Sequence, residues 1–261
     1  MKLTGNTILI TGGGSGIGLG LAEAFKALGN EVIAVGRSES KLETAKSKGL
    51  HILKGDVGSL ESVQILAKEA LKRFPALNVV IHNAGIMQNE KLTTRDNSKT
   101  AEDTVHTNLL GPIYLTNALL PHLLKQPSST IITVTSGLAF LPLSMTPTYC
   151  ATKAAIHSYT QSLRFQLRET SVGVKEIAPP YVATTLMGER QASDPHAMPL
   201  KDFIEEVMRI FKEAPEAEEI MVKNVLPLRN SAFQGAAAYK ELFEQRNQGF
   251  LAARRAEWDK L

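Results

Sequence analysis

The chain has 261 residues, of which 43% are hydrophobic and 21% are charged, and its formal net charge is +3. These values predict a soluble globular protein built as one α/β domain, and they exclude a strongly basic nucleic-acid-binding surface. A single cysteine excludes an internal disulfide, no apolar run reaches the ~20 residues of a membrane span, and no secretory leader is evident, so we expect a cytoplasmic protein with neither nucleic-acid nor membrane partners.

Short apolar runs alternate with amphipathic segments over the first 177 residues. Strands are predicted at 7–10, 31–35, 51–53, 78–81, 130–134 and 172–177. Helices are predicted at 16–28, 41–48, 59–73, 100–124 and 148–169, with a bend at Pro112. Continuously apolar strands separated by helices predict a Rossmann-type, doubly wound parallel sheet with helices on both faces.

The pattern loosens after residue 177. Pro179-Pro180 interrupts the chain, and no strand is predicted between residue 184 and about residue 215. We expect one helix at 201–212, a short last strand at 219–222 and a helix at 236–246. The remaining tail is polar, and Arg254-Arg255 is interpreted as a solvated face or part of a subunit contact.

A glycine-rich run lies between the first strand and the first helix. It fits the spacing Thr-Gly-x-x-x-Gly-x-Gly, with Ile17 where the general Gly-x-Gly-x-x-Gly pattern has its third glycine. Glycines let the backbone approach a pyrophosphate, and the following helix offers free N–H groups and a positive dipole end. A flexible turn is the alternative, but the strand before the run and the helix after it favour phosphate binding.

The second strand ends in Gly36-Arg37-Ser38, without the acid that usually holds a ribose 2′-hydroxyl in NAD sites. Arg37 can pair with a 2′-phosphate, and Ser38 can add a hydrogen bond. This favours NADP(H) over NAD(H). The alternative is a surface arginine that opens a helix.

Tyr149 and Lys153 are one helical turn apart, and Ser136 follows the fifth strand. A lysine ammonium nearby favours a phenolate, so we expect it to lower the pKa of Tyr149 from its usual value near 10. A phenol poised in this way beside a serine hydroxyl is typical of carbonyl reduction or alcohol oxidation. Asp56 and Asn83 also follow strands, so all these motifs are expected at one edge of the sheet, where such sheets bind ligands.

The glycine run, Asp56-Val57, Asn83-Ala84-Gly85, Asn108, Ser136 and Tyr149-x-x-x-Lys153 together resemble the short-chain dehydrogenase/reductase family over residues 4–185. The C-terminal part, with Pro179-Pro180 and the Val-x-Pro-Leu-Arg segment at 225–229, is similar to the branch named after the DltE oxidoreductases. The resemblance implies a core at 1–183 that binds a cofactor and carries catalysis. A substrate-covering insertion at 184–218 and a C-terminal strand with helices at 219–261 complete the single domain.

The resemblance also implies residue roles. Tyr149 would be the acid–base, Lys153 would lower its pKa and hold the nicotinamide ribose, and Ser136 would hydrogen-bond the substrate oxygen. Asn108 would bend its helix and hold a water that links Lys153 to solvent. The implied cofactor-binding residues are Thr11, Gly12, Gly14, Ser15, Gly16, Ile17, Gly18, Arg37, Ser38, Asp56, Val57, Asn83, Ala84, Gly85, Tyr149, Lys153, Pro179, Val182 and Thr184.

Two positions depart from the family pattern. Pro180 stands where the family commonly has glycine, which puts nicotinamide contacts from this loop in doubt because proline removes a backbone N–H. His82 stands where the family often has asparagine, and it is interpreted as a packed polar residue. Six histidines and one cysteine show no zinc-type spacing, so no metal is expected.

The expected function is an NADP(H)-dependent oxidoreductase acting on a small carbonyl or alcohol substrate, assembled as a homodimer or homotetramer. A non-catalytic NADP(H)-binding redox sensor is the alternative, and a nucleotide-sugar dehydratase or epimerase is a third, for which the chain is short. A group of apolar residues is expected to line a substrate pocket, or else to serve packing alone: Leu138, Phe140, Leu141, Leu143, Met145, Tyr181, Leu186 and Met187.

Overall fold

The computed structural model describes residues 1–260 and contains one seven-stranded sheet in the order β3-β2-β1-β4-β5-β6-β7. All neighbouring strands are parallel. The strands are β1 Thr7–Thr11, β2 Glu31–Gly36, β3 His51–Lys54, β4 Leu77–His82, β5 Ser129–Val134, β6 Val172–Ile177 and β7 Glu219–Ile220. The helices are α1 Gly16–Ala27, α2 Glu39–Ser47, α3 Leu60–Arg73, α4 Ser98–Val105, α5 Gly111–Leu123, α6 Pro147–Leu167, α7 Glu189–Ala192, α8 Leu200–Glu213, α9 Leu226–Arg229, α10 Ala236–Ala253 and α11 Arg255–Trp258.

The strands send side chains into two apolar clusters, one on each face of the sheet. In β1, Ile8 and Ile10 pack with residues of α1 and α8, whereas Leu9 packs with residues of α3, α5 and α6. The apolar residues of this strand therefore follow one another without alternation, because both faces of the sheet are covered. The predicted Rossmann-type, doubly wound parallel sheet is confirmed.

Local signals at the helix ends act as expected. Ser59 caps α3 by accepting a hydrogen bond from the Ser62 N–H at 3.3 Å. Gly29 follows α1 with φ +82°, a left-handed conformation that glycine adopts without strain.

The helix predicted at 100–124 is interrupted. A π-helical turn at His106–Leu110 separates α4 from α5, and Pro112 lies in the first turn of α5. Such π turns occur often at functional sites, and this one contains Asn108. The irregularity is therefore centred on the asparagine rather than on the proline.

The chain after β6 is more helical than its pattern indicates. α8 packs against α1, where the rings of Phe211 and Phe25 meet edge to face with centroids 5.9 Å apart. α10 continues seven residues beyond the predicted end, to Ala253, and α11 follows it. No helix within residues 1–260 is both long and apolar enough to cross a membrane.

Candidate active site

A cleft of about 460 Å³ lies at the carboxyl ends of the strands. Most of the residues predicted to bind a cofactor or to act in catalysis line it: Gly12, Gly14, Ser15, Gly16, Ile17, Arg37, Ser38, Asp56, Val57, Asn83, Ala84, Gly85, Ser136, Tyr149, Lys153, Pro179, Val182 and Thr184. Thr11, Gly18 and Asn108 do not line it.

The N-terminus of α1 opens into the cleft. Ser15, its N-cap residue, makes no side-chain cap hydrogen bond, and the first turn contains no acidic residue. Ser15, Gly16 and Ile17 line the cleft, so the unpaired N–H groups and positive dipole end of the helix are available there. A helix end of this kind binds a phosphate group.

Thr11 and Gly18 shape this turn from behind. Thr11 Oγ1 accepts hydrogen bonds from the backbone N–H groups of Asn83 and Ala84, each at 3.0 Å. Asn83 Nδ2 in turn donates to Thr11 O at 3.0 Å. A Cβ on Gly18 would overlap Gly12 O and Asn83 Nδ2. The two residues therefore hold the ends of β1 and β4 together and let α1 begin close to them.

Two cations lie at the part of the cleft next to β2. Arg37 Nη1 lies 3.5 Å from Asp56 Oδ2 in an ion pair exposed to solvent. Ser38 caps α2 by accepting a hydrogen bond from the Lys41 N–H at 3.5 Å. Lys41 also lines the cleft, although the sequence analysis did not identify it. The signal that could have identified it is its position one helical turn after Arg37.

Ser136, Tyr149 and Lys153 are brought together at the end of β5 and the first turns of α6. Ser136 and Tyr149 both line the cleft, and Ser136 Oγ accepts a hydrogen bond from the Leu138 N–H at 3.1 Å. Lys153 Nζ lies 5.5 Å from the centroid of the Tyr149 ring and donates to Val134 O at 2.8 Å. All three side chains are buried.

The expected lowering of the Tyr149 pKa is wrong for this structure. Burial raises the pKa of the phenol well above its ordinary value, against an opposing contribution from the Ser136 hydroxyl. Burial also lowers the pKa of Lys153 to about 8. The physical reason is that both groups are removed from water, which disfavours the charged form of each more than their proximity favours it.

Asn108 ties the π turn to the segment after β4. Its Oδ1 accepts from the Ile86 N–H at 2.8 Å, and its Nδ2 donates to Ile86 O at 2.9 Å and to Thr152 Oγ1 at 3.3 Å. A Cβ on Gly85 would lie 3.4 Å from Asn108 Oδ1 and 3.7 Å from Lys153 Nζ. The asparagine thus lies close behind Lys153, although it does not line the cleft.

A buried acid on β6 supports Lys153 from the other side. Glu176 is fully buried, accepts from Thr135 Oγ1 at 2.6 Å and pairs with His157 Nδ1 at 2.8 Å. Its negative charge acts to raise the pKa of Lys153. Glu176 was not among the predicted site residues, yet a glutamate inside a strand that also contains valine and isoleucine is an available signal, because acids are seldom buried without partners.

Glu219 lies beside this pair, and ligand-type atoms of His157, Glu176 and Glu219 lie within 4.8 Å of one another. Glu219 Oε2 accepts from Arg229 Nε at 2.8 Å, and Oε1 accepts from Arg229 Nη2 at 3.1 Å. This bidentate pairing supplies the positive charge that a metal ion would bring. The group is therefore organised as an ion-pair network.

A second cavity of about 80 Å³ opens beside the cleft. Both include Met87, Ser136, Tyr149, Pro179, Pro180, Leu186 and Gln191 in their walls. Of the apolar residues proposed for a pocket wall, those that line it are Leu138, Leu143, Met145, Tyr181, Leu186 and Met187. Leu141 is buried elsewhere, and Phe140 packs edge to face on His157.

The C-terminal helices close this cavity, which the sequence analysis did not anticipate. Arg246, Phe250 and Arg254 line it. The interpretation of Arg254 as a solvated or subunit-contact residue is wrong: it is buried and donates to Tyr181 Oη at 2.7 Å and Asp194 Oδ2 at 3.4 Å. The physical reason is that the guanidinium finds two partly buried oxygen partners more than fifty residues away in sequence.

The two departures from the family pattern have structural consequences. His82 is buried and its Nε2 is hydrogen-bonded to Thr116 Oγ1 at 2.9 Å, which confirms its interpretation as a packed polar residue. Burial lowers the pKa of His82 to about 4. Pro179 O accepts from the Gly137 N–H at 2.9 Å, and both Pro179 and Pro180 border the cleft.

Comparison with known proteins assigns the family. A family model described as short chain dehydrogenase matches residues 6–195. The uncharacterized oxidoreductase DltE of Bacillus subtilis (strain 168) is 42% identical over 253 residues, covering 95% of this chain and 98% of that protein.

Two solved structures share the fold, each with a TM-score of 0.78. A short chain dehydrogenase from Burkholderia cenocepacia J2315 in complex with NADP is 24% identical, and the match covers 95% of this chain and 99% of that one. A short chain dehydrogenase/reductase from Burkholderia phymatum in complex with NAD is 20% identical, with 90% and 95% covered. With its matching family model, its DltE relative and its parallel sheet, the chain belongs to the short-chain dehydrogenase family of oxidoreductases.

Proposed function

We propose that this oxidoreductase uses NADP(H) to interconvert a ketone or aldehyde and the corresponding alcohol. The observation that carries the proposal is the buried Tyr149 phenol, which lies with Ser136 and beside Lys153 where the large cleft meets the small cavity. A dinucleotide would occupy the cleft, and a small carbonyl compound would enter the cavity.

The residues along the cleft fit a nicotinamide dinucleotide. The uncapped N-terminus of α1 would hold the pyrophosphate. Asp56 and Val57 would hold the adenine, and the segment 83–85 would support the adenosine ribose. Lys153 would hold the nicotinamide ribose, and Val182 and Thr184 would border the nicotinamide.

The charges beside β2 favour NADP(H). Arg37 and Lys41 both line this part of the cleft, and either can pair with a 2′-phosphate. Asp56 already pairs with Arg37 and lies after β3 rather than at the tip of β2. Of the two similar structures, one was solved with NADP and the other with NAD, so they favour neither cofactor. The proposed preference for NADP(H) therefore rests on Arg37 and Lys41.

The protein's own groups would handle the proton. When bound, the nicotinamide supplies the hydride in reduction and accepts it in oxidation. Tyr149 would donate its phenol proton to the substrate oxygen while Ser136 hydrogen-bonds that oxygen. The Lys153 ammonium would stabilise the phenolate that forms, and Asn108 would hold a water that returns a proton through Lys153.

The phenol of Tyr149 is protonated at neutral pH, since burial raises its pKa. It would therefore act directly as the acid in reduction, whereas in oxidation it would have to lose its proton before acting as the base.

The central test replaces Tyr149 with phenylalanine. Tyr149→Phe removes the proton donor and is expected to lower kcat for carbonyl reduction by about 100-fold or more, with NADPH binding retained. The matched control is Tyr159→Phe, on the same helix but packed in the core, which should keep most of the activity. Wild-type turnover in Tyr149→Phe would disprove the assignment of the acid.

Cofactor preference has a separate test. Arg37→Asp removes a 2′-phosphate partner and adds an acid near the ribose, so the ratio of kcat/KM with NADPH to that with NADH is expected to fall by at least about tenfold. Lys46→Asp, a charge reversal on the exposed surface of α2, is the control. An unchanged ratio in Arg37→Asp would show that Arg37 does not select the cofactor.

We also propose a homodimer or homotetramer that assembles through the helices at 98–123 and 147–167. Phe165 on α6 is 67% exposed, so this helix offers a large apolar side chain for a contact between subunits. Sedimentation as a monomer at micromolar concentration would contradict this. The cytoplasmic location expected from the sequence stays a prediction.

A further inference from the structure

The small cavity beside Tyr149 contains a cation that has no acidic partner among the described side chains. Arg246 projects from α10 into the same cavity wall as Ser136 and Tyr149. No carboxylate oxygen of the described side chains lies within 4.0 Å of its guanidinium nitrogens, the distance that defines an ion pair. Its guanidinium carbon lies 5.8 Å from the centroid of the Phe250 ring, in a cation–π contact.

Arg254, the other arginine in the wall of this cavity, has an acidic partner. It pairs with Asp194 Oδ2 at 3.4 Å and donates to Tyr181 Oη at 2.7 Å. Asp194 is stabilised in its charged form, since the backbone N–H of His196, the Tyr181 hydroxyl and this arginine lower its pKa. The charge of Arg254 is therefore balanced by a nearby carboxylate, whereas none of the side chains that the structure describes balances that of Arg246.

The environment of Arg246 makes this imbalance significant. The side chain is half-buried, and desolvation lowers its pKa without an acid to oppose the effect. The cavity around it is mainly apolar, with Leu143, Met145 and Phe250 in its walls. An unpaired cation is costly in such surroundings, and a bound anion would remove the cost.

α10 is fixed in place next to the catalytic helix. Asn247, which is buried, accepts a hydrogen bond from the Ser144 N–H at 2.5 Å and donates to Pro142 O at 3.2 Å. The loop that these bonds hold leads directly into α6 and Tyr149. Arg246 is thus held at a defined place relative to the proton donor, as selection of a substrate group requires.

We propose that Arg246 binds a carboxylate of the substrate, so that this site reduces an oxo acid to the corresponding hydroxy acid. The inference rests on the proposed oxidoreductase function and adds the substrate class to it. A guanidinium pairs with a carboxylate through two parallel hydrogen bonds, and a carboxylate is small enough for a cavity of about 80 Å³. Hydride from NADPH adds to the carbonyl carbon, the Tyr149 proton adds to the oxygen, and the carboxylate on Arg246 is unchanged.

The first experiment needs no variant. Reduction of 2-, 3- and 4-oxopentanoate by the wild-type protein is compared with reduction of their methyl esters, in NADPH-dependent absorbance assays. At least one acid is expected to exceed its own ester in kcat/KM by about 100-fold, mainly through a lower KM. Esters reduced as well as all three acids would overturn the proposal.

The second experiment assigns the preference to Arg246. Arg246→Gln is expected to raise KM for the preferred acid by about 100-fold, to change kcat/KM for its ester by less than about threefold, and thus to remove the preference. Arg246→Lys should restore part of it. Lys240→Gln, on the exposed surface of the same helix, is the control. An equal loss for acid and ester would overturn the proposal.

Further measurements separate this inference from the proposed function. If neither NADPH nor NADH supports turnover of any carbonyl, the oxidoreductase proposal fails, and binding of 4-oxopentanoate, read as a rise in Tm, still tests Arg246. A rise in the wild type that is lost in Arg246→Gln supports the carboxylate site, and its absence from the wild type overturns it. Preferred reduction of dihydroxyacetone phosphate over every oxopentanoate would assign a phosphate instead and overturn the carboxylate.

Discussion

Tyr149 and Lys153 are both buried in the protein, and burial disfavours the charged form of each. The phenol stays protonated at neutral pH, while the pKa of Lys153 falls to about 8. Glu176 opposes the second effect, because its buried carboxylate favours the ammonium. Lys153 therefore depends on Glu176 for part of its charge near neutral pH.

Because Lys153 depends on the Glu176 carboxylate for part of its charge, Glu176→Gln should change the pH profile of carbonyl reduction. Removing the carboxylate charge lowers the pKa of Lys153 further, so the ammonium is lost at a lower pH. In the wild type, kcat/KM for carbonyl reduction should fall as the pH rises through about 8. In Glu176→Gln the fall should begin at lower pH, with severalfold less activity near pH 8.

The glutamine keeps a hydrogen-bonding side chain for His157 and Thr135, so the comparison isolates the charge. Glu218→Gln, at an exposed ion pair with Arg164, is the control and should leave the pH profile unchanged. If the profiles of wild type and Glu176→Gln coincide, the alkaline fall does not report Lys153.

At the scale of elements, the cleft depends on how closely α1 begins to β1 and β4. Gly18 lies where the helix passes Gly12 O and Asn83 Nδ2, and neither atom can move without disturbing the bonds between Thr11 and Asn83. Backbone atoms do not give way as flexible side chains do. This glycine therefore serves close packing rather than direct cofactor contact.

Gly18→Ala is expected to lower the free energy of unfolding by about 3 kcal/mol and to weaken NADPH binding, because α1 must shift away from the cleft. Gly249→Ala is the matched control on α10. A Cβ there meets nothing within 4 Å, so better helix propensity should raise stability by up to ~1 kcal/mol. Chemical denaturation and cofactor titration measure both variants, and equal effects would contradict this account of Gly18.

Most of the fold could be predicted because its signals are local. Apolar runs identify strands buried on both faces, and Ser59 and Gly29 mark the ends of helices. Placing the motifs at one edge of the sheet required only that parallel strands share an orientation. The residues at the carboxyl ends of β1 to β5 were found in this way.

What could not be predicted depends on contacts between distant parts of the chain. Nothing near Arg246 or Arg254 in the sequence indicates that α10 and its end close a cavity against Tyr149. The direction of the Tyr149 pKa change depends on burial, which no motif specifies. The π turn at Asn108 likewise follows from the fit of that side chain to Ile86.

Across the whole molecule, the catalytic residues are enclosed by elements from both halves of the chain. Phe250, Leu251 and Trp258 of the C-terminal helices pack on a cluster that contains Tyr149 and Cys150. This enclosure removes water from the proton donor, and it also buries the amine of Lys153. The arrangement that suits the chemistry therefore reduces the stability of the folded chain.

Lys153→Met is expected to abolish reduction yet stabilise the fold. The lowering of the Lys153 pKa from 10.5 to about 8 corresponds to a cost of about 3 kcal/mol when the amine is charged. Methionine fills similar space but cannot make the hydrogen bond to Val134 O. The loss of that bond offsets about 1 kcal/mol of the stability gained by removing the charge. At neutral pH the variant should gain about 2 kcal/mol, measured by urea denaturation.

The pH dependence of the stability gained by Lys153→Met separates the effect of the buried charge from that of packing. Between about pH 8 and 10.5 the unfolded wild-type chain holds more protons on Lys153 than the folded chain does, so wild-type stability from this group rises with pH. The advantage of Lys153→Met is present in full below that window and should shrink across it. Lys240→Met, at an exposed lysine, should show no such change. A gain independent of pH would mean that packing, rather than the buried charge, distinguishes the two proteins.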